Sequence, residues 1–344
     1  MTTHKKLLLI TDAWAPQTNG VVTTWQTVLN LLQTEFDFTV QVIHPELFKT
    51  VPLPTYQEIQ LARNPWLMKQ MLREFAPDCV HVATEGSLGI YARHMLTRAN
   101  IPYTTSLHTK FPEYVQARSG LPLSVGYRFM RWFHRPAVRT LCTTASHKAE
   151  LEKWGLSDLV VWSRGVDIER FHVQEIPRRD KPRMLYVGRV AVEKNLQAFL
   201  SLEIDATKVV VGDGPQREAM QSKYPDVQWL GYRKGQPLTD QYAQADVFVF
   251  PSLTDTFGLV MLEANACGTP VAAFPVTGPI DVVTEGVNGA LDDDLHQAVQ
   301  RALTLDRDEV RRYAEGNTWS VVAQRLADNL VQVPWQRPEV KMPS

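Results

Sequence analysis

Cysteine is scarce in this chain. Only three stand in 344 residues, Cys79, Cys142 and Cys267, widely spaced and each in an apolar context, which excludes a disulfide framework and fits a reducing compartment. Long apolar runs are missing as well. The opening MTTHKKLLLITDAW holds a short apolar stretch that turns polar at once, too short for a signal peptide or a membrane span but suited to a first β-strand. A cytoplasmic protein is expected, or one peripheral to the inner membrane face. Net charge is close to nil, at -1, which argues against bulk nucleic-acid binding. No solenoid repeat, low-complexity tract or metal-ligand cluster stands out. Asp292, Asp293 and Asp294 follow Gly289 in a late acidic loop and read as solvated helix-capping charge, so neither a metal nor a cofactor is expected.

What is present points to two α/β domains. A chain that is 44% hydrophobic over 344 residues can bury two cores, since domains run to about 100–200 residues. Short β-like runs alternate with helical patterns, which implies parallel sheets. In the first half they are KLLLI (6–10), FTVQVI (38–43), CVHVA (79–83), YTTSLH (103–108), TLCTTA (140–145) and LVVWS (159–163). RMLYVG (183–188), KVVVG (208–212), VQWLG (227–231), DVFVF (246–250) and PVAAF (270–274) form a second set. Between the sets, residues 173–183 are polar, charged and broken by Pro177 and Pro182, the composition of a linker. The expected organisation is a domain over 1–172, the linker, a second domain over 184–318, an amphipathic helix over 319–332 and a loose tail over 333–344.

Chemistry in open α/β sheets lies beyond the carboxyl ends of the strands. The stretch PSLTDTFGLVMLEANACGTP (251–270) follows the predicted strand DVFVF. Thr254 and Asp255 are good helix caps, Gly258 keeps the turn Thr256-Phe257-Gly258-Leu259 thin, and the helix that follows offers backbone N–H groups to a diphosphate. Asp255 then faces sugar hydroxyls, and Glu263, two turns into the helix, accepts from a ribose. An ordinary capped helix is the alternative. Arg189 comes directly after another strand with Lys194 five residues on, a pair that suits a diphosphate or forms a solvated surface pair. Gly212-Asp213-Gly214-Pro215 marks a tight turn. Asn19-Gly20 precedes a helix start and permits close backbone approach by an anion, or is only a helix-entry turn.

Charge is uneven along the chain. Residues 1–172 hold 18 Lys and Arg against 14 Asp and Glu, and residues 173–344 hold 18 against 23. No acidic residue falls between Glu113 and Glu150, where Arg118, Arg128, Arg131, Arg135, Arg139 and Lys148 all occur. Arg128, Arg131 and Arg135 keep helical spacing, with Phe129, Trp132 and Phe133 interleaved as interfacial anchors before Pro136 ends the helix. Residues 118–139 therefore read as a surface for anionic membrane, or as a core helix with a solvated Arg face.

The acidic-x7-Glu spacing of Asp255 and Glu263 resembles the signature of retaining glycosyltransferases of family 4. That likeness implies an α/β GT-B architecture of two facing Rossmann-like domains, with the last helix crossing back to the first. FKTVPLPTYQEIQLA (48–62), HTKFPEY (108–114), WSRGVD (162–167) and VGRVAVEKN (187–195) are similar to the lipid-directed branch, the sulfoquinovosyl- and glycosyl-diacylglycerol synthases and bacterial lipid α-mannosyltransferases. The resemblance spans residues 6 to about 330. It implies a metal-independent hexosyltransferase that binds a nucleotide-sugar (UDP or GDP) in its second domain and a lipid acceptor in its first. It assigns Arg189 and Lys194 to the leaving diphosphate, the Asn19-Gly20 loop to the phosphates, and the Gly212-Gly214 turn to base and ribose. Arg164 is placed near the cleft or in domain closure, and His108, at a strand end, on the transferred sugar. Asp255 departs from the family's usual Glu and shortens the reach by about one methylene. A synthase or phosphorylase acting on soluble sugar and a silent nucleotide-sugar binder are the competing classes; intact Arg189, Lys194 and Glu263 weigh against the second.

Overall fold

A computed structural model describes residues 4–17, 20–53, 56–108, 110–175, 179–253 and 257–335, with backbone alone at 52, 53, 56–60, 114 and 117–119. The chain divides into two compact units, residues 1–163 with 322–344, and residues 164–321. The division falls at Ser163/Arg164, ahead of the polar stretch 173–183. The reason is local: Val166 N–H donates to Asn317 O at 3.0 Å and Phe171 packs in the second unit's core, so residues 164–171 are claimed by that unit.

The first unit is built on a parallel sheet of β1 (Lys5–Ile10), β2 (Phe38–Ile43), β5 (Cys79–Val82), β6 (Thr104–Leu107), β7 (Arg139–Cys142) and β8 (Leu159–Val161) in the order β2-β1-β5-β6-β7-β8. Leu7, Leu8, Leu9 and Ile10 are fully buried because helices cover both faces of a parallel sheet. Burying each such side chain contributes about 1.5–3 kcal/mol, so this one strand supplies about 6–12 kcal/mol of gross driving force. An antiparallel hairpin, β3 (Thr50–Leu53) and β4 (Tyr56–Ala62), stands apart from the sheet and was not anticipated from sequence. The tail expected to be loose is anchored as far as Trp335: Val333 N–H donates to Asp78 O at 2.7 Å, and Trp335 Nε1 donates to Pro77 O at 2.8 Å.

The second unit repeats the plan with β9 (Arg183–Val187), β10 (Thr207–Val211), β11 (Gln228–Gly231), β12 (Val247–Phe250), β13 (Val271–Ala273) and β14 (Gly289–Leu291), ordered β11-β10-β9-β12-β13-β14. All its pairings are parallel. The strand order reverses between β1 and β5 in one sheet and between β9 and β12 in the other, and crevices for ligands open at such switch points.

Candidate functional site

In the first unit the switch point is filled by the protein itself. Asp12, just past β1, accepts from the N–H groups of Leu88 (2.8 Å) and Gly89 (3.2 Å) at the start of helix Ser87–Arg98, and from the hydroxyls of Thr84 (3.0 Å) and Ser87 (3.1 Å). Burial pushes its carboxyl up, and these four bonds oppose that. A helix N-terminus that would attract a ligand anion is thereby neutralised from within. A Cβ at Gly86 would stand 2.4 Å from Asp12 Cγ, so the plug also dictates that glycine. His108 follows β6 and is held by Trp25 Nε1 (3.0 Å) and Ser106 Oγ (2.9 Å). Gly20 is the first residue of helix Gly20–Thr34, and a Cβ there would meet nothing within 4 Å. Its neighbour Asn19 lies outside the described residues.

The second unit leaves its switch-point side open. A cleft of about 470 Å³ is lined by Gly188 and Arg189 after β9, Gly212 and Asp213 after β10, Tyr232, Arg233 and Lys234 after β11, and Val260 and Glu263 on helix Leu259–Ala266 after β12, with Arg170 at its side. Its floor is laced by backbone bonds between neighbouring loops: Gly188 N–H to Val211 O at 3.0 Å, Val190 N–H to Asp213 O at 2.9 Å, and Gly212 N–H to Gly231 O at 2.9 Å. That close approach explains Gly212. Its φ is +141°, and a Cβ would lie 1.8 Å from Gly188 O. At Gly214 a Cβ would lie 2.4 Å from Val190 O. Both glycines are fixed by protein packing as well as by any ligand.

Four cations, Arg170, Arg189, Arg233 and Lys234, share the cleft with two carboxylates, Asp213 and Glu263. Arg189 is 66% exposed and only 3.9 Å from Glu193, a contact of little energetic weight in water. Glu263 differs. Burial pushes its carboxyl up, against the Tyr242 hydroxyl that donates to Oε2 at 2.9 Å and the positive Arg170 nearby. Tyr232 is 71% exposed, an aromatic face presented at the cleft.

Of the residues expected from sequence, the structure brings Arg189, Gly212 and Glu263 into one cleft. Asp255 and Thr256 lie outside the described residues. The helix starts at Leu259 with Gly258 at its cap position and φ +80°, so the cap expected of Thr254 or Asp255 is a glycine. Phe257, expected at the ligand, packs in the core with Leu259 against the same cluster. Lys194 closes a short 3₁₀ turn over Val192–Lys194 and does not line the cleft. Arg164 is buried, which lowers its guanidinium to about 10, and it too is away from the lining. Arg170, Tyr232, Arg233 and Lys234 were missed, although the loop following VQWLG obeys the same strand-end rule that found Arg189.

The basic stretch also resolves into parts. Helix Leu123–His134 buries Tyr127, Met130, Phe133 and His134. Phe133 is therefore core, contrary to the interfacial role expected of it, while Phe129 is half-buried and Trp132 stays 46% exposed. Arg128, Arg131 and Arg135 are exposed and border a second cleft of about 550 Å³ with Arg93, Trp132 and Asp158. Arg93 is already engaged, donating from Nε to Trp132 O at 3.0 Å with its guanidinium 3.9 Å over the Trp132 ring. Among the described residues, no carboxylate is within ion-pair distance of Arg128, Arg131 or Arg135. No helix among the described residues is long and apolar enough to cross a membrane. Asp294 caps helix Leu295–Ala302 by accepting from His296 N–H.

Comparison with known proteins accords with this geometry. Residues 18–170 match the pattern described as Glycosyltransferase Family 4, and residues 181–308 match Glycosyl transferases group 1. A GDP-mannose-dependent alpha-mannosyltransferase of Mycobacterium tuberculosis is 32% identical over 83% of this chain and 80% of its own length. The sulfoquinovosyl transferase of Arabidopsis thaliana is 31% identical over 77% of this chain and 57% of its own. The alpha-monoglucosyldiacylglycerol synthase of Streptococcus pneumoniae is 25% identical over 87% and 78%. Among solved structures, the lipopolysaccharide outer core galactosyltransferase WaaB in its apo form superposes with a TM-score of 0.71 at 17% identity, covering 94% of this chain and 98% of that one.

Proposed function

Because the chain belongs to glycosyltransferase family 4 and has the GT-B fold of two Rossmann-like units, we propose that it moves a hexosyl unit from a nucleoside-diphosphate sugar to a membrane glycerolipid, with retention at the anomeric carbon and without a metal ion. The observation that carries this reading is the second unit's cleft, where Glu263 lines the same space as four cations and an exposed tyrosine. A ribose suits Glu263: Tyr242 holds Oε2, and Oε1 accepts from a sugar hydroxyl. The cations suit a diphosphate, with Arg189 able to grip two oxygens at once. Tyr232 offers a face for a nucleobase.

In this reading Asp255 holds hydroxyls of the transferred sugar, Lys194 joins Arg189 on the leaving group, and His108 hydrogen-bonds the sugar from the first unit. The leaving diphosphate, made electrostatically tolerable by the cations, takes the acceptor's proton on the same face. Lipid is favoured as acceptor by two independent points. Relatives are named for sulfoquinovosyl transfer and for glucosyl-diacylglycerol synthesis. Arg128, Arg131 and Arg135 lack carboxylate partners among the described residues and border exposed Trp132, while Leu121 and Val125 expose apolar surface nearby, the mixture that attaches a helix to anionic bilayer. A GDP-mannose donor with another lipid or a polysaccharide acceptor is the second reading, favoured by the mannosyltransferase relative.

The test is direct. Purified protein is incubated with radiolabelled UDP- and GDP-sugars and a lipid extract, and label is counted in the organic phase. Transfer only to soluble sugar, or hydrolysis alone, overturns the lipid acceptor.

A further inference from the structure

His108 meets two protein groups at one nitrogen. Its Nε2 lies 3.0 Å from Trp25 Nε1 and 2.9 Å from Ser106 Oγ. The indole N–H has no acceptor capacity, so it can only donate, and Nε2 must present its lone pair. Neutral imidazole carries one proton, which is thereby assigned to Nδ1. The indole is not free to turn away. Trp25 is fully buried, with ring centroids 4.9 Å from Trp162 and 4.9 Å from His81, and it meets His108 edge-on at 5.8 Å and 84°. Trp162 flanks His108 from a second direction at 5.9 Å.

The hydrogen bonds behind His108 agree with the same polarity. His81 is fully buried between Thr104 Oγ1 (2.8 Å from Nδ1) and Ser106 Oγ (3.1 Å from Nε2). Burial, with His134 adding to it, lowers His81 to about 3, so it stays neutral and has one proton to give. With the Thr104 hydroxyl donating to Nδ1, His81 Nε2–H donates to Ser106, and the one Ser106 proton is left for His108 Nε2 at 2.9 Å or the more distant Ala83 O at 3.3 Å. The reverse polarity would set the Ser106 oxygen lone pair against the His108 lone pair.

We propose that Trp25 is a positioning residue that locks His108 in its Nδ1–H tautomer, which denies His108 the lone pair that a base for the acceptor hydroxyl would need. A base needs a lone pair facing the reaction, and the only lone pair of this tautomer is spent on Trp25 and Ser106. The tautomer stands on geometry alone; its bearing on the acceptor rests on the transferase reading above.

The experiment is a two- and three-bond ¹⁵N–¹H correlation spectrum of the full chain labelled with ¹⁵N-histidine, with His108 assigned by the signals lost in His108→Gln. The expected result is a protonated shift at Nδ1 and a bare-nitrogen shift at Nε2 in the wild type. A protonated Nε2 overturns the proposal outright. Trp25→Phe keeps a ring and deletes the donor; it should bring both nitrogens toward averaged shifts and lower kcat about tenfold or more, with KM for the donor changed less than about twofold. An unmoved tautomer in a Trp25→Phe protein that melts normally defeats the lock. Ser106→Ala should leave the Nδ1–H tautomer in place, and loss of the tautomer there would reassign the role from Trp25 to Ser106. The locked tautomer in a protein without transferase activity would sink the functional reading and leave the lock standing.

Discussion

Replacing Glu263 by glutamine tests the donor site with opposite expectations for stability and binding. Oε2 is held by the Tyr242 hydroxyl, so Oε1 is the acceptor left for a ribose. In the glutamine variant the carbonyl oxygen goes to Tyr242, which can only donate there without stranding its proton, and the amide turns an N–H₂ donor toward a hydroxyl that formerly had a charged acceptor. A hydrogen bond to a charged group is worth about 1.5–3 kcal/mol and a neutral one about 1, so the loss is about 1 kcal/mol, roughly a fivefold weaker nucleotide complex. Stability should move the other way or not at all. Burial raises the Glu263 carboxyl above its ordinary 4.5. A group that binds its proton more tightly in the folded state than in the unfolded one costs stability as pH rises from its ordinary value through the raised one. Glutamine removes that cost. Calorimetric titration with UDP and GDP, beside thermal melts at pH 7.5, reads both quantities. A melting temperature that falls while affinity stays within about twofold of wild type would refute the argument and make Glu263 a structural carboxylate.

Three further expectations follow from other parts of the molecule. Neutralising Arg128, Arg131 and Arg135 together should weaken binding to anionic liposomes by about 3 kcal/mol before screening, at about 1 kcal/mol each, and leave nucleotide affinity unchanged; equal co-sedimentation of variant and wild type at low salt would return the helix to a solvated face. Gly212→Ala should cost at least about 2 kcal/mol, because its Cβ would lie 1.8 Å from Gly188 O at a φ of +141°, and an unchanged denaturation midpoint would contradict that contact. His81, lowered from 6.5 to about 3, binds its proton more weakly in the folded chain, so stability should drop as pH falls below about 6.5, by about 2 kcal/mol between pH 7 and pH 5. Melting curves of wild type and His81→Gln should show that slope in the former and a shallower one in the latter; parallel slopes would mean His81 is protonated in the fold.

The sheets were legible because a strand buried on both faces has to be a continuous apolar run, and LLLI, VVV and VFVF are such runs. The β3–β4 hairpin was not. Its first strand includes Pro52 and its second alternates Gln and Glu with apolar residues, a pattern that belongs to a partly exposed element outside the main core. Gly289–Leu291 was too short to register. In the site, spacing and strand-end position pointed to Glu263 and Arg189, which line the cleft, and the same strand-end rule applied to VQWLG would have pointed to Tyr232, whereas Arg170 reaches the cleft from a segment whose sequence carries no mark of proximity. Helix phase explains the error on Phe133. It lies one residue from exposed Trp132, and hydrophobicity alone does not tell which of two neighbouring aromatics a core will take. Asp12 escaped notice for a similar reason, since its partners Thr84, Ser87, Leu88 and Gly89 are more than 70 positions away.

The anchoring of residues 322–335 in the first unit bears on the order in which the protein is made. Cys79 pairs with Gln332, Asp78 with Val333 and Pro77 with Trp335, and the buried Trp162 indole donates to Val322 O. Every residue of the second unit, 164–321, is synthesised before these contacts exist. On the ribosome the later unit therefore has all of its own residues first, while the earlier one waits with the β5 border and the Trp162 indole unsatisfied until the last segment emerges. A chain cut back to residue 321 should resist proteolysis across 183–315 and remain susceptible around Pro77–Cys79, and restoring residues 322–344 should close that gap.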